Sequence, residues 1–302
     1  MDIKQEITNR IIAMLEKGGN ESSPMWTGAA NGGFPVNGKT GAAYRGLNVF
    51  LLWGAAMENG YSQNIWMTYK QAADLGGQVR KGEKSVLCAY YSLVKGKDTI
   101  QENVEESDAT GEPKNKKFSM CKPFYLFNVS QIDGLPESIT AEAAKIEFNP
   151  IEQAEHLLSA SEAVIKHGGN KAFYSPSKDI ICLPEREAFT SRENYYATAL
   201  HELAHWTGHM TRLNRRIANR FGDQAYSREE CAADLTSAML MAYLGLIDAT
   251  IENHAAYIES WISVLKQDKT AIFTASKHAS AAYDFILNKA GVDTTVQAET
   301  AE

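Results

Sequence analysis

The sequence predicts an α+β protein of two domains, a small α/β domain followed by a mostly helical one. Its 302 residues exceed the usual size of a single domain. Runs of β-branched and aromatic residues, which are typical of strands, lie mainly in the first half. Helical spacing of apolar residues dominates from Ser191 onward. We place the domain boundary after Pro136, which divides the chain into 1–136 and 137–302.

The first domain is predicted to begin with a helix over 3–17. Its apolar residues recur about one helical turn apart, and Gly18-Gly19 ends it. Residues 20–42, rich in Gly, Asn, Pro and Ser, predict a loop. The elements that follow are a buried helix at 44–57, a short helix at 67–77 and strands at 85–94 and 122–132. Residues 95–117 are polar and charged, which predicts a long exposed hairpin loop or an insertion between these strands.

The second domain is predicted to begin with a linker rich in Glu and Ala. A helix over 150–167 follows and ends at two glycines. Residues 172–184 predict two short strands around a Ser-Pro-Ser turn. Further helices are predicted at 195–209, 226–245, 254–267 and 277–291, and the last residues, 296–302, are predicted to fray.

Composition narrows the class of protein. With 44% hydrophobic and 22% charged residues, the chain is typical of globular proteins. No signal peptide or membrane span is expected, and four widely spaced cysteines without a CxxC pair favour free thiols in the cytoplasm. The net charge of −7 argues against a uniformly basic nucleic-acid binder. Residues 1–136, however, hold 15 Lys/Arg against 14 Asp/Glu, and five of those acids fall within 102–112.

A metal-binding pattern lies in the second domain. His201-Glu-Leu-Ala-His205 matches H-E-x-x-H. On a helix, residues four apart lie on the same face, so both imidazoles can reach one ion. Glu202 is one position along, outside the set of ligands, where it can act as a general base. The expected metal is Zn²⁺, with another divalent ion such as Mn²⁺ as the alternative.

The third ligand is predicted on a later helix. A metzincin would need a histidine where this chain has Thr211, so that class is excluded. His209 lies two turns from His201 and is expected to be an outer or a surface residue. Glu230 is the better candidate, because Asp234 one turn later can accept the free N–H of a ligating imidazole. Glu229 is its rival, but position 233 carries no acid.

Two further features of a hydrolase site are left open at this level. The developing oxyanion could be stabilised by Tyr195, Tyr196, His209 or a residue of the later helices. By analogy with other zincins, the strand at Asp179–Leu183 is expected to hold an extended substrate at a sheet edge.

Several long strings resemble one known family. YYATALHELAHWTGH, RLNR, NRFG and YSREE resemble the zincin-like metallopeptidase domain of ArdC-type antirestriction proteins. TYKQAADLGGQVRKGEKS and FNVSQIDGL resemble the N-terminal domain of that family, which also occurs in plasmid TraC-type primases. The resemblance covers nearly the whole chain. It implies a single-stranded-DNA-binding domain joined to a metallopeptidase-like domain in a plasmid-borne protein that protects incoming DNA from host restriction. The family usually has Glu where this chain has Asp234.

Single-strand binding requires cations along phosphates and aromatic faces on which bases stack. The first half interleaves the two kinds of residue at Tyr44, Arg45, Trp66, Tyr69, Lys70, Arg80, Lys81 and Lys84. The same aromatic residues could instead belong to the core and the lysines to an ordinary solvated face. The resemblance favours DNA binding for the domain, though not for each residue.

The function expected from these observations is that of a bifunctional antirestriction protein. It would bind single-stranded DNA and hydrolyse an unknown protein or peptide, with a host restriction component as one candidate. The alternative is a DNA-coating protein whose metal centre is structural or vestigial. A peptidase without a DNA role is a third possibility. Glu202 favours catalysis, because a structural site does not need a base.

Overall fold

The computed structural model describes residues 2–18, 33–95, 117–140, 150–215, 224–246 and 254–294. Several predicted features lie wholly or mainly outside these residues, and the structure describes only the parts that fall within them. These features are the loop at 20–42, the polar segment at 95–117 with its acidic part, the linker before Pro150 and the C-terminal end.

The first half is a four-stranded sheet with helices packed against it. Its helices are α1 (Ile3–Gly18), α2 (Leu47–Asn59), α3 (Tyr69–Asp74) and α4 (Glu137–Thr140). Its strands are β1 (Val36–Asn37), β2 (Ile65–Met67), β3 (Gln78–Val79), β4 (Val86–Lys95), β5 (Lys117–Asn128) and β6 (Ile132–Asp133). The sheet order is β1-β2-β5-β4, and β3 pairs with β6 separately. The long β4–β5 hairpin confirms the predicted pair of strands, although β5 begins at Lys117 and ends at Asn128, and Ile132 at the end of the predicted strand lies in β6. Strands β1 to β3 were not predicted.

The second half combines a small sheet with long helices. Its helices are α5 (Pro150–Ala160), α6 (Arg192–Thr207), α7 (Gln224–Leu244), α8 (His254–Gln267) and α9 (Ala271–Lys289). Strands β7 (Val164–His167), β8 (Phe173–Ser175) and β9 (Ile180–Leu183) form a sheet in the order β7-β9-β8. Helix α7 packs against both α6 and α9, so the helix that carries the H-E-x-x-H pattern is covered by apolar neighbours. None of the described helices has the length and apolar character that a membrane crossing requires.

Two predicted helices were too long. The helix expected over 67–77 spans only Tyr69–Asp74, and Met67 lies in β2. The helix expected over 150–167 ends at Ala160, and Val164–His167 forms a strand parallel to β9. The hydroxyl of Ser161 accepts the backbone N–H of Ala163, and Glu162 adopts a left-handed backbone with φ of 64°. A non-glycine residue in this conformation stops a helix, and the β-branched residues after it then favour the strand.

The two halves share a hydrophobic cluster. Ile11 and Phe50 of the first half belong to the same buried cluster as Leu200 and Trp261 of the second. Helix α1 packs against α8, and the hydroxyl of Thr8 donates to the backbone carbonyl of Lys269. The boundary after Pro136 stays a prediction.

Candidate functional site

Helix α6 presents the H-E-x-x-H residues in a buried position. The hydroxyl of Ser191 caps its start by accepting the backbone N–H of Asn194. Between the two histidines, Leu203 and Ala204 are fully buried and hold the helix in the core. His201 and His205 are themselves less than 10% exposed, because α7 covers this face of the helix.

Three possible ligand atoms meet between α6 and α7. His201 Nε2 and His205 Nε2 are 3.1 Å apart, and each lies 3.5 Å from an oxygen of Glu230. Two ligands bound to one tetrahedral zinc ion at about 2.0–2.1 Å are themselves about 3.3 Å apart. The three residues therefore fit a single ion. Among the described residues, they are the group that could hold a metal.

Each histidine also contacts an acid through its other ring nitrogen. Asp234 Oδ1 is 2.7 Å from His201 Nδ1, and Glu229 Oε1 is 3.3 Å from His205 Nδ1. Both acids are buried and lie on α7, on either side of Glu230 along the helix. Such contacts orient a ligating imidazole and raise its basicity. The shorter side chain at Asp234 thus reaches His201, and Glu229, the sequence rival of Glu230, contacts the second histidine instead.

Glu229 is held by a buried arginine that the sequence analysis did not single out. Arg215 Nε lies 3.0 Å from Glu229 Oε2, and Arg215 Nη2 lies 2.8 Å from Glu229 Oε1. The same guanidinium donates to the carbonyl of Ala204 and the hydroxyl of Thr207 on α6. A side chain added at Gly208 would come within 2.9 Å of it. Arg215 is the last residue of the RLNR string at 212–215, which is the signal in the sequence that could have pointed to it.

The carboxyl of Glu202 is buried and interacts electrostatically with His201, His205 and Glu230. Burial raises its pKa, while positive charge on His201 and His205 and a hydrogen bond from the backbone of Tyr174 act in the opposite direction. A carboxyl whose pKa is raised is suited to accept a proton near neutral pH. The backbone of β8 therefore positions the predicted general base.

The ligand residues show strong mutual electrostatic effects. Burial disfavours a charged His201, but Asp234 outweighs it and raises the pKa of that imidazole well above its usual value. Burial likewise opposes charge on His205, yet contacts with Glu229 and Glu230 raise its pKa to about 9. The pKa of Glu230 is held well below its usual value by the two histidines, despite its burial. Negative charge is thus concentrated around the imidazoles, where it favours a bound cation.

Two sequence expectations about the surroundings of the site need correction. The strand at Asp179–Leu183 is β9, the central strand of its sheet, so the edges among the described strands are β7 and β8, of which β8 packs against α6. Tyr195 and Tyr196 are buried, and their hydroxyls contact His167 and Glu155 respectively. Their hydroxyls are therefore occupied away from the histidine pair.

His209 was the third candidate for stabilising the oxyanion. It lies just beyond the end of α6, and its Nδ1 contacts the hydroxyl of Thr211 at 2.8 Å. It is not in the described group that could hold a metal. This placement agrees with the expectation that His209 is not a ligand.

The predicted DNA-binding residues separate into two groups. Tyr44 and Trp66 are fully buried, so their faces cannot stack on a base, and that part of the prediction is wrong. Arg45 forms a bidentate ion pair with Asp284 of α9 and also donates to the carbonyl of Thr294. The other five residues remain at the surface, namely Tyr69, Lys70, Arg80, Lys81 and Lys84.

Comparison with known proteins identifies both halves. Residues 1–127 match the family described as the N-terminal domain of anti-restriction factor ArdC. Residues 152–278 match the family described as zincin-like metallopeptidase. The metal-free crystal structure of antirestriction ArdC from plasmid R388 is 38% identical, with a TM-score of 0.76, over 96% of this chain and 98% of the other.

The chain belongs to the ArdC antirestriction family. The Mn(II)-bound structure of the R388 protein matches it as well, with 36% identity and a TM-score of 0.75 over 96% of this chain and 98% of the other. An uncharacterized protein of Sinorhizobium fredii is 38% identical over 94% of this chain and 91% of its own length. The ArdC family thus accounts for both halves and for the order in which they occur.

Longer proteins carry the same two-part region. A DNA primase TraC of Escherichia coli is 40% identical over 94% of this chain, and a second is 40% identical over 93%. The chain spans only 27% and 19% of the length of these two primases. An ArdC-like region is therefore also found as one part of larger DNA-handling proteins.

Proposed function

We propose that this protein is a metal-dependent peptidase joined to a single-stranded-DNA-binding domain, and that it protects incoming DNA from restriction. The observation that carries this proposal is the convergence of His201, His205 and Glu230, with Glu202 beside them. A purely structural site has no use for a buried carboxylate next to its ligands. The ArdC family of the chain supports the antirestriction role.

The metal would be held by two imidazoles and one carboxylate. This mixed nitrogen and oxygen set suits Zn²⁺ and also accepts Mn²⁺, the ion bound in the related R388 structure. When bound, the ion supplies Lewis acidity that polarises a carbonyl group. Asp234 and Glu229 keep the two rings oriented with Nε2 towards the shared point.

Glu202 has the part of general base. Its carboxylate, buried and held by the backbone of Tyr174, accepts a proton from the water whose oxygen attacks the peptide carbonyl carbon. It then passes that proton to the amine that leaves as the C–N bond breaks. We infer that the substrate is an extended peptide on β8, because this strand borders the site and has one partner among the described strands. Strand addition to such an edge gives affinity through backbone hydrogen bonds.

We assign the binding of single-stranded DNA to the first half. The support comes from its ArdC N-terminal match, from the primases that contain the same region and from the surface cations Lys70, Lys81 and Lys84. We place the protein in the cytoplasm, where its four free cysteines stay reduced. A component of the host restriction system is the protein substrate that fits this role.

The test is a restriction-protection assay with Glu202→Gln. This variant keeps the size of the side chain but cannot accept the proton, so protection should fall while metal binding and single-strand affinity stay unchanged. Glu193→Gln in the first turn of the same helix is the matched control and should protect like the wild type.

Direct cleavage is measured in parallel. The restriction endonuclease and casein are incubated with the wild type and with Glu202→Gln, each loaded with Zn²⁺ or Mn²⁺. Cleavage by the wild type alone supports the peptidase assignment. Equal protection by the wild type and by Glu202→Gln would show that hydrolysis is not how the protein protects DNA. DNA coating would then become the better account.

A further inference from the structure

A groove on the first half combines exposed aromatic rings with cations. Its cavity, of about 580 Å³, is lined by Tyr69, Gln78, Val79, Arg80, Lys81, Glu83, Phe127 and Asp133. This volume lies within the usual range of ligand sites. The lining residues come from α3, from β3 and the turn after it, and from β5 and β6. Elements separated along the sequence therefore build one concave surface.

The aromatic wall of this groove continues along β5. The rings of Tyr69 and Phe127 meet edge to face, with their centroids 6.5 Å apart. Tyr125 lies two residues before Phe127, and residues two apart on a strand lie on the same face. Tyr69 and Tyr125 are 54% and 53% exposed, so neither ring is packed in the core. We call Tyr69, Tyr125 and Phe127 the aromatic platform.

Cations lie in the groove and next to its lining residues in the sequence. Arg80 is already neutralised, because it contacts Glu83 and Asp133. Lys81 lines the groove, and Lys70 and Lys84 are sequence neighbours of other lining residues. Within the described part of the chain, these three lysines form no ion pair and are exposed. They can therefore contact external phosphates, whereas Arg80, which also lines the groove, is paired with Glu83 and Asp133.

We propose that the aromatic platform and the adjoining groove bind unpaired nucleobases of single-stranded DNA. The inference rests on the proposed function and deepens it by giving the DNA a site. Stacking requires a base with a free face, which duplex DNA does not offer, and the lysines supply charge for the backbone on either side. One base lies against Tyr69 and Phe127, and the next lies against Tyr125. Neither Tyr125 nor Phe127 was predicted from the sequence.

The experiment uses the full chain and a fluorescent single strand of mixed sequence, 12 nucleotides long, with binding followed by fluorescence anisotropy. Tyr69→Ala and Tyr125→Ala are each expected to weaken binding about tenfold, in line with the loss of one stacked base. Tyr69→Phe should bind like the wild type, because it retains the ring. The wild type should bind a duplex of the same sequence at least about tenfold more weakly.

The matched control lies on the other face of the same hairpin. Lys122 lies three residues before Tyr125 on β5, and side chains an odd number of residues apart on a strand lie on opposite faces. Tyr90, which is 44% exposed, pairs with Lys122 and therefore also lies on the face away from the platform. Tyr90→Ala and Lys122→Ala should leave binding unchanged. Lys81→Ala should weaken it and lower the salt dependence by about one phosphate contact. Thermal unfolding of each variant checks that the fold is intact.

The outcomes separate this inference from the proposed function. If the wild type binds no single strand at low salt, the DNA assignment itself is wrong. If the wild type binds and both Tyr69→Ala and Tyr125→Ala bind as tightly as the wild type, the domain binds DNA at another site. The platform assignment is then overturned. The same conclusion follows if Tyr90→Ala weakens binding as much as Tyr69→Ala does.

Discussion

Arg215 and Glu229 form a bidentate, buried ion pair directly behind the imidazole of His205. The exposed fractions of the two side chains are 3% and 6%. Glu229 uses Oε1 for both the arginine and the imidazole, so the guanidinium fixes the carboxylate that orients the ring. Because Arg215 also donates to Ala204 and Thr207, it joins the turn after α6 to the metal-binding face. The ion pair is thus part of the support of the metal centre.

Removal of this arginine should weaken both the fold and the metal site. Arg215→Met leaves Glu229 as an uncompensated buried charge, which costs about 3–5 kcal/mol of unfolding free energy. Loss of such an outer contact also lowers metal affinity by about 10- to 100-fold. Unfolding in urea measures the first effect, and calorimetric titration of the folded protein with Mn²⁺ measures the second.

Arg228 offers a control on α7 itself. It is a neighbour of Glu229 in sequence, but it is 44% exposed and pairs with Asp268 away from the histidines. Arg228→Met should change stability by less than about 1 kcal/mol and leave the affinity for Mn²⁺ unaltered. The stability and the Mn²⁺ affinity of Arg215→Lys should lie between those of the wild type and of Arg215→Met, because lysine keeps the charge but loses the fork geometry. Unchanged Mn²⁺ affinity in Arg215→Met would disprove the supporting role.

Glu230 and Glu229 should respond differently to the same substitution. Glu230→Gln removes a proposed ligand and should abolish measurable Zn²⁺ or Mn²⁺ binding, as should His205→Ala. Glu229→Gln alters only the partner of His205 and should retain binding, weakened about 10- to 100-fold. Metal in excess should raise the melting temperature of the wild type and of Glu229→Gln, but not that of Glu230→Gln. Full metal retention in Glu230→Gln would assign the third ligand elsewhere.

The sequence was sufficient for the parts of the site that follow one-helix geometry. His201 and His205, four residues apart, must share a face of one helix. Glu230 was indicated as the third ligand because Asp234 lies one turn after it on the next helix. Arg215 could not be found in this way. The chain after α6 turns back through a left-handed Asn214, and the backbone N–H of Arg215 reaches the carbonyl of Gly208. That return depends on tertiary contacts and not on local spacing.

The aromatic residues of the first half show a second limit. Tyr44 and Tyr69 look equivalent in sequence, each next to a basic residue. In the structure Tyr44 is 1% exposed and donates to the carbonyl of Trp66, whereas Tyr69 is 54% exposed at the start of α3. The presence of a tyrosine does not show whether its ring packs in the core or is exposed and available to a ligand. Burial is decided by the packing of whole elements.

Acid should weaken the fold partly through Asp179. Its carboxylate accepts hydrogen bonds from Arg212, which lower its pKa from 3.8 to about 2 in spite of partial burial, and it also accepts from the hydroxyl of Tyr174. A lowered pKa means that the folded state keeps the charge where the unfolded chain is protonated. This stabilisation is complete above about pH 4 and is lost as the pH falls towards 2.

Asp179→Asn should therefore flatten the decline of stability between pH 4 and pH 2. Arg212→Met should flatten the same part of the curve, and the double variant should add nothing further, because the two residues act as one pair. Melting temperatures recorded from pH 6 down to pH 2 provide the comparison. A decline in Asp179→Asn as steep as in the wild type would show that other carboxyl groups control this window.

Arg45 should contribute to the contact between the two halves and not to DNA binding. Its guanidinium contacts both oxygens of Asp284 at 3.0–3.1 Å and donates to Thr294, across more than 200 residues of sequence. Arg45→Met should lower the unfolding free energy by about 1.5–3 kcal/mol, which is typical of hydrogen bonds to charged groups. Single-strand affinity should stay unchanged, whereas a direct contact of Arg45 with DNA predicts that it falls.

The pair formed by Lys266 and Glu16 is the control, because it also joins the two halves but is more than half exposed. Lys266→Met should change stability by less than about 1 kcal/mol, since solvent screens exposed pairs. Arg45→Asp combined with Asp284→Arg should recover part of what either charge reversal loses alone. Urea unfolding and anisotropy titrations on the same preparations decide between the roles. If Arg45→Met loses single-strand affinity at unchanged stability, Arg45 acts on DNA and the structural role is wrong.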